Sequence, residues 1–173
     1  MAQHLIIIRG NSGSGKTTVA EALRNALKTI YGKGSTLLVS QDIIRIEILD
    51  VNDTPGNESI ALIQNACEYG LQNGKNVILE GILDRRKYGE MLTALIENWG
   101  DGVHSYYYSV PLEITLKRHD MRPKKDIFTK EEMCSWYNAD NQLNLPNERI
   151  FDEHISADEA VAQILSDCKE GNY

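Results

Sequence analysis

Cysteine is scarce in this sequence of 173 residues, which contains three. Cys67, Cys134 and Cys168 are far apart and odd in number, so they match neither a disulfide framework nor a zinc-ligand spacing. We interpret them as reduced thiols of a cytoplasmic protein. Three of the histidines lie in or beside strand-like segments and are interpreted as structural: His4, His104 and His154.

Long hydrophobic runs and positive charge are also lacking. No apolar run is as long as a membrane span, and no signal-peptide pattern precedes the first strand-like segment. The 18 Lys and Arg against 25 Asp and Glu give a net charge of −7. Because an acidic surface repels nucleic acid and anionic lipid, we expect neither as a partner, although a local basic groove is compatible with this charge. Length, together with the absence of repeats and linkers, predicts one domain, residues 1–173.

One motif is specific. The stretch Gly10-Asn-Ser-Gly-Ser-Gly15-Lys16-Thr17 fits G-x-x-x-x-G-K-[ST], between an aliphatic segment (4–9) and a helical apolar pattern (19–27). Glycines let the backbone turn with positive φ, and the first helical N–H groups have no intrahelical partner. With the helix dipole, such a cup favours an anion, and phosphate fits it. We assign the stretch as a P-loop, since a plain turn needs fewer glycines and no Lys-Thr pair.

The P-loop predicts the nucleotide contacts. Lys16 brings a full positive charge to the outer phosphates and is predicted to be catalytic, and the Thr17 hydroxyl is suited to Mg²⁺. We therefore predict ATP and Mg²⁺ as ligands. The predicted nucleotide-binding residues of the loop are Asn11, Ser12, Gly13, Ser14, Gly15, Lys16, Thr17 and Thr18.

Strand and helix patterns alternate along the chain, which predicts a parallel sheet with helices on both faces. The strand-like segments are 4–9, 35–40, 76–79 and 104–110, and residues 149–155 are predicted as a last short strand. Residues 43–49 look helical, and Pro111 is expected in the first turn of a helix. Capping boxes at 129–132 and 156–159 predict the starts of two later helices.

Asp42 follows the second strand, where ligands bind in open α/β sheets. A carboxylate at this place is suited to accept the proton of an attacking hydroxyl group. Arg45 lies three residues on, and both side chains share a side if a helix begins at Asp42. The alternative is that Asp42 caps this helix with Arg45 as its solvent-exposed partner; the two roles can coexist.

Glu80 ends the segment Val77-Ile-Leu-Glu80-Gly81, an aliphatic strand closed by a carboxylate, as in a Walker B pattern. It is suited to hold a water bound to Mg²⁺ or a substrate hydroxyl, and Gly81 is expected to leave room for a ligand. The alternative is a strand-end charge in solvent. Arg86 follows and joins Asp42, Arg45 and Glu80 as a predicted substrate contact, unless it only belongs to a charged first helical turn.

A cationic segment stands out in the acidic chain. Residues 117–130 contain six Lys and Arg against two Asp, a local charge of +4. Arginine binds phosphate bidentately, and a mobile arginine that closes on ATP stabilises the transition state. We predict a lid at about residues 118–128, in which Arg122 is catalytic and Arg118 contacts the nucleotide. The alternative is a solvated basic loop.

Four segments together resemble the small P-loop kinases: GNSGSGKTT, QDIIR, VILEG and RHDMRPK. That group includes shikimate and gluconate kinase, chloramphenicol phosphotransferase, the zeta toxins and the kinase domain of phage polynucleotide kinase. The resemblance spans about residues 5–125. It implies a three-layer P-loop NTPase fold with a five-stranded parallel sheet in order 2-3-1-4-5, helices on both faces, and an acceptor site under the second and third helices.

The resemblance also implies individual roles. Asp42 would match the acid that deprotonates the acceptor, Arg118 a lid arginine packing on adenine, and Arg122 one that reaches the transferred phosphate. The glycine-rich acceptor loop of shikimate kinase is absent, and no paired-arginine nucleotide site aligns, so the resemblance does not identify the substrate.

The leading interpretation is therefore an ATP-dependent kinase, monomeric or homodimeric, that acts on a hydroxyl group of a small molecule. The open alternatives are a nucleoside, nucleotide or polynucleotide 5′-hydroxyl kinase, a zeta-toxin-like sugar-nucleotide kinase, and a non-catalytic nucleotide-binding regulator. The absence of an Asn-Lys-x-Asp run argues against a GTPase, and the short length argues against an AAA-type ATPase.

Overall fold

The computed structural model describes residues 3–121, 129–145 and 147–170. Its strands are all parallel and form one sheet in the order β2-β3-β1-β4-β5. The strands are β1 (Leu5–Gly10), β2 (Thr36–Ser40), β3 (Asn76–Gly81), β4 (Val103–Tyr108) and β5 (Glu148–Phe151). The predicted fold class and strand order are confirmed.

Helices cover both faces of this sheet. They are α1 (Lys16–Tyr31), α2 (Glu58–Gln72), α3 (Arg85–Trp99), α4 (Leu112–Asp120), α5 (Lys130–Trp136) and α6 (Ala157–Glu170). A π-helix, Ile43–Ile48, follows β2, and a short 3₁₀ helix, Gly100–Gly102, precedes β4. Within the described ranges, every helix is too short or too polar to cross a membrane.

The central strand β1 is buried on both of its faces. Leu5 and Ile7 pack into the core formed with α2 and α3, whereas Ile6 and Ile8 pack into the core formed with α1 and α6. All four are at most 1% exposed. A central parallel strand covered by helices on both sides reads as a continuous aliphatic run, which explains why this segment shows no polar alternation.

The predicted elements differ from the observed ones mainly at their ends. β3 continues to Gly81, because its pairing with β1 extends through Arg9↔Gly81. β5 ends at Phe151, well before residue 155. Pro111 has an extended ψ of 145° and stands just before α4 rather than inside its first turn. Both capping boxes form, one at the start of α5 and the other at the start of α6.

The parallel arrangement determines where a site forms. The carboxyl ends of all five strands lie along one edge of the sheet, and in the register Ser40 pairs with Glu80, which pairs with Ile8. The P-loop, the π-helix and the segment that follows β3 all begin at this edge. Ligands of open α/β sheets bind outside the carboxyl ends of the strands, so this edge is the candidate site.

Candidate active site

The P-loop connects β1 to α1 and curls around the side chain of Lys16. This lysine is only 7% exposed. Its Nζ donates a hydrogen bond of 3.2 Å to the carbonyl oxygen of Asn11, at the other end of the loop. Gly15 precedes α1 with a left-handed φ of 102°. The ammonium group therefore lies within the loop in which the phosphates are predicted to bind.

Gly13 allows the loop to lie directly against α4. Its φ is +83°, and a Cβ at this position would come within 2.9 Å of the carbonyl oxygen of Thr115. Backbone cannot yield to such a contact as the end of a flexible side chain can. The packing of the loop on α4 therefore requires glycine at this position, for both conformational and steric reasons.

Glu80 joins the P-loop to the ends of β2 and β3. Its carboxylate accepts a hydrogen bond of 3.1 Å from Thr17 Oγ1 and one of 2.5 Å from Ser40 Oγ. Glu80 is only 3% exposed, so it is not the solvated strand-end charge of the alternative interpretation. This carboxylate has been brought to the P-loop by the pairing of neighbouring strands.

The chemistry of this pair fits Mg²⁺. Hydroxyl and carboxylate oxygens are the hard ligands that Mg²⁺ prefers, and it usually retains several waters beside them. Thr17 is exposed at the mouth of the loop, and the buried Glu80 lies behind it. The prediction that Thr17 binds the ion, with Glu80 holding one of its waters, remains a prediction that these positions support.

Gly81 does not leave room for a ligand, and that expectation is wrong. A Cβ at Gly81 would collide with the side chain of Gln41, which is 2% exposed. The Oε1 of Gln41 accepts the backbone N–H of Leu83 at 2.9 Å. The space above Gly81 is therefore filled by a side chain that fixes the segment after β3.

Asp42 lies at the same edge of the sheet as Lys16, two residues beyond the end of β2. Its side chain is 58% exposed and pairs with Nη2 of Arg45 at 3.7 Å. It makes no capping hydrogen bond to the π-helix. The alternative interpretation was that Asp42 caps this helix and pairs with Arg45, and only the pairing is observed. The carboxylate is accessible, as a base acting on a bound acceptor needs to be.

Arg45 is more constrained than its partner, with a side chain only 20% exposed. Its Nη1 donates to the carbonyl oxygen of Val51 at 3.2 Å. Its Nε is buried and makes no hydrogen bond among the described residues. A buried donor without a partner costs about 1–3 kcal/mol.

Arg86 is oriented by Asp84 at the start of α3. The Asp84 carboxylate accepts hydrogen bonds from Arg86 Nε at 3.0 Å, Nη2 at 2.5 Å and the backbone N–H at 2.9 Å. Burial favours a higher pKa for Asp84, but these hydrogen bonds outweigh it and hold the pKa below its ordinary value. The Arg86 side chain is 68% exposed, so its predicted contact with an acceptor is sterically open.

Asn138 belongs to this site, although no sequence pattern pointed to it. Its backbone N–H donates to Oδ1 of Asn11 at 3.0 Å, and its carbonyl oxygen accepts from Nδ2 of Asn11 at 2.9 Å. Its own Nδ2 donates to Asp84 at 3.4 Å. Asn138 thus connects the first residue of the loop to the carboxylate that holds Arg86.

A pocket of about 370 Å³ adjoins the P-loop and the first turn of α1. Arg118 forms part of its wall: Nη1 donates to the carbonyl oxygen of Ser14 at 3.0 Å, and Nη2 donates to that of Glu153 at 2.8 Å. The pocket is lined by Gly13, Ser14, Gly15, Thr18, Val19, Tyr108, Arg118, Met121, Ile155 and Ala157. The contact of Arg118 with a nucleotide base stays a prediction, and its guanidinium lies in the wall of this pocket.

Sequence reasoning missed the apolar part of this pocket. Tyr108 ends β4, Met121 follows α4, and Ile155 and Ala157 lie at the start of α6. No spacing connects these separate segments, so no motif could have united them.

Of the other predicted residues, Ser12 is half-buried within the loop. Arg122, with the rest of the predicted lid at 122–128, lies outside the described residues.

Comparison with protein families finds a match over most of the chain. The family AAA_33, an AAA domain, matches residues 5–139, more than three quarters of the chain. A search of curated proteins finds no match to the sequence.

Solved structures share the fold across nearly the whole chain. The APS kinase of Mycobacterium tuberculosis, solved with AMPPNP and APS, has a TM-score of 0.75 at 16% identity, covering 97% of this chain and 98% of its own. A gluconokinase from Sinorhizobium meliloti has a TM-score of 0.64 at 16% identity, covering 98% and 93%. The tunicamycin resistance protein of Deinococcus radiodurans has a TM-score of 0.63 at 18% identity, covering 95% and 94%. At such identities, these likenesses establish the fold.

Proposed function

We propose that this chain, which belongs to the AAA domain family AAA_33, is an ATP-dependent kinase that transfers the γ-phosphate to a hydroxyl group of a small molecule. The observation that carries the proposal is the Glu80 carboxylate, bonded to Thr17 of the P-loop and to Ser40 at the end of β2. It connects the phosphate site to the strand end that carries Asp42. A protein that only binds nucleotide has no need of an accessible carboxylate such as that of Asp42 beside the phosphate site.

On the nucleotide side, the P-loop amides and Lys16 would bind the β- and γ-phosphates. Thr17 and Glu80 would hold Mg²⁺, which neutralises phosphate charge as the reaction proceeds. Arg118 would contact the base from the wall of the pocket beside the loop. These contacts position the γ-phosphorus, and positioning with charge stabilisation accounts for most of the catalysis in phosphoryl transfer.

On the acceptor side, Asp42 would orient the hydroxyl group and take its proton. The bond from the acceptor oxygen to the γ-phosphorus forms while the bond from that phosphorus to the bridging oxygen breaks, and ADP leaves with the electron pair. Arg45 and Arg86, which pair with Asp42 and Asp84, would donate hydrogen bonds to oxygen atoms of the acceptor. Such ATP-dependent chemistry on a metabolite fits the cytoplasm.

The test is an acceptor screen with Mg²⁺ and γ-labelled ATP. Separate pools contain sugars, sugar acids, nucleosides, sugar nucleotides, oligonucleotide 5′ ends and adenylyl sulfate, and labelled products are separated by chromatography. We expect wild type to label a small-molecule pool and Lys16→Ala to label none. Lys28→Ala, which changes an exposed lysine of the same helix, serves as the matched control.

Each other outcome identifies a different function. Label on the oligonucleotide pool alone would assign a polynucleotide kinase and overturn the small-molecule proposal. ATP binding by calorimetry without transfer to any pool would favour a nucleotide-binding regulator. ATP hydrolysis that no acceptor accelerates would assign an ATPase, as the family name allows.

A further inference from the structure

Two imidazoles and a thiol meet at the amino-terminal edge of the sheet, opposite the P-loop. His4 precedes β1, His104 is the second residue of β4, and Cys168 lies in the last turn of α6. Nδ1 of His4 and Nε2 of His104 are 3.0 Å apart. One ligand atom from each of the three residues lies within 4.8 Å of the others.

The alternation of strand side chains produces this cluster. His4 lies two residues before Ile6, and His104 lies two residues before Tyr106, so both imidazoles share the sheet face of these core side chains. α6 covers that face, and Cys168 packs into the same core. His4 and Cys168 are 3% and 4% exposed. The three groups are therefore held together by the fold rather than by surface mobility.

We propose that His4, His104 and Cys168 bind a Zn²⁺ ion that ties β1, β4 and α6 together. Two imidazole nitrogens and one thiolate are ligands that zinc prefers. In tetrahedral zinc sites with normal bond lengths, neighbouring ligand atoms are roughly 3.3–3.6 Å apart. The two imidazole nitrogens, 3.0 Å apart, would separate slightly, and the thiol would move toward them, to reach that geometry.

The protonation of the cluster suits metal binding. Burial lowers the pKa of both His4 and His104, which keeps the imidazoles neutral, as ligation requires. Burial raises the pKa of the Cys168 thiol to about 12, so binding displaces its proton to solvent. The proton shared between the two rings moves to the outer nitrogen of its own ring, and the ion takes its place. Binding thus releases one proton and weakens as the pH falls.

Asp167 adds a negative charge beside His104 but is engaged elsewhere. Its Oδ2 accepts from the hydroxyl of Tyr106 at 2.8 Å, and its Oδ1 accepts from Arg149 at 3.0 Å. The charge favours a cation in the cluster, while the fourth coordination position is assigned to water. The six residues of β1 separate this cluster from the P-loop by about 20 Å. The zinc proposal is therefore independent of the proposed kinase activity.

The experiment uses the full chain, made metal-free and without a histidine tag. Zn²⁺ is titrated in equilibrium dialysis, and Co²⁺ serves as a spectroscopic probe of the same site. We expect one Zn²⁺ per chain and, with Co²⁺, a sulfur-to-cobalt charge-transfer band. Cys168→Ser should abolish the band and weaken Zn²⁺ binding by more than the roughly 10–100-fold that loss of an outer partner costs. His104→Gln should weaken Zn²⁺ binding similarly.

Matched controls are Cys134→Ser, an exposed cysteine, and His154→Gln, whose side chain is 83% exposed. Both should keep the band and the affinity. With free Zn²⁺ at about 100 times Kd, Tm should rise by roughly 5–10 °C in wild type and controls. This rise should be lost in Cys168→Ser, whatever its metal-free Tm. Two outcomes would overturn the zinc site: binding of less than one Zn²⁺ per chain, or binding that Cys168→Ser and His104→Gln leave unchanged. His4 and His104 would then form a hydrogen-bonded pair without a metal ion.

Discussion

Arg9 and Glu148 form an ion pair that solvent does not reach. Nη1 and Oε1 are 3.1 Å apart, and the two side chains are 0% and 1% exposed. Nη2 of Arg9 also donates to the carbonyl oxygens of Leu83 at 2.9 Å and Asn141 at 2.8 Å. Oε2 of Glu148 accepts the backbone N–H of Leu143 at 2.7 Å. The pair joins the strand that leads into the P-loop to the first residue of β5.

Removal of one partner should be costly. Arg9→Met leaves the Glu148 carboxylate buried without its counter-charge, and we expect a loss of about 3–5 kcal/mol in the free energy of unfolding. Urea denaturation measures this loss. The control is Arg149→Met, which breaks an ion pair with a side chain 49% exposed and should cost at most about 1 kcal/mol. Equal losses in the two variants would show that burial does not increase the contribution of the Arg9–Glu148 pair to the free energy of unfolding.

Arg118→Ala should act on nucleotide affinity. Loss of a guanidinium stacked on the base should raise KM for ATP by roughly 2- to 30-fold, with a smaller change in kcat. Steady-state kinetics with varied ATP measures both constants. Lys117→Ala removes the same charge from the neighbouring residue, which is exposed, and should leave KM unchanged. If both variants show the wild-type KM, Arg118 does not contact the nucleotide.

Asp42→Asn should separate binding from transfer. The amide keeps the size of the side chain but cannot take a proton, so transfer to the acceptor should fall by about 10²–10⁴-fold. ATP affinity by calorimetry and Tm should stay near wild type, because the carboxylate is exposed and caps no helix. Glu47→Gln, an exposed acid of the same π-helix, is the control. A transfer rate equal to that of Glu47→Gln would exclude Asp42 as the base.

Asp84 should contribute to acid sensitivity. Its folded pKa lies below the unfolded value of about 3.9, so its stabilisation is complete above that pH and is lost as the pH falls through the folded pKa. Asp84→Asn should lower stability at pH 7 and flatten the decline of unfolding free energy below about pH 4. Asp101→Asn, at an exposed site, is the control. Parallel profiles for wild type and Asp84→Asn would contradict this role.

The elements that could be predicted from the sequence are those with a strong local pattern. The aliphatic run of β1 and the Thr129–Glu132 capping box both form as expected. The ends of β3 and β5 were predicted less well, because a strand ends where its pairing with a neighbour ends. The sheet order followed from resemblance to a family and not from the spacing of residues.

The P-loop was determined by the sequence itself, because its chemistry resides in consecutive residues and their backbone. A glycine with positive φ, unpaired amides and Lys16 act together wherever such a loop lies between a strand and a helix. The strand-end position of Asp42 was equally readable, since its placement depends on the end of one strand.

Only the tertiary structure decided which distant residues meet. Arg9 and Glu148 are 139 positions apart, Asn11 and Asn138 are 127 apart, and His4 and His104 are 100 apart. Their contacts depend on which strands are neighbours and on the register between them. These are global choices made by burial of the two cores, so no local spacing records them. For the same reason, cysteine spacing suggested no metal site, while the fold brings Cys168 beside two imidazoles.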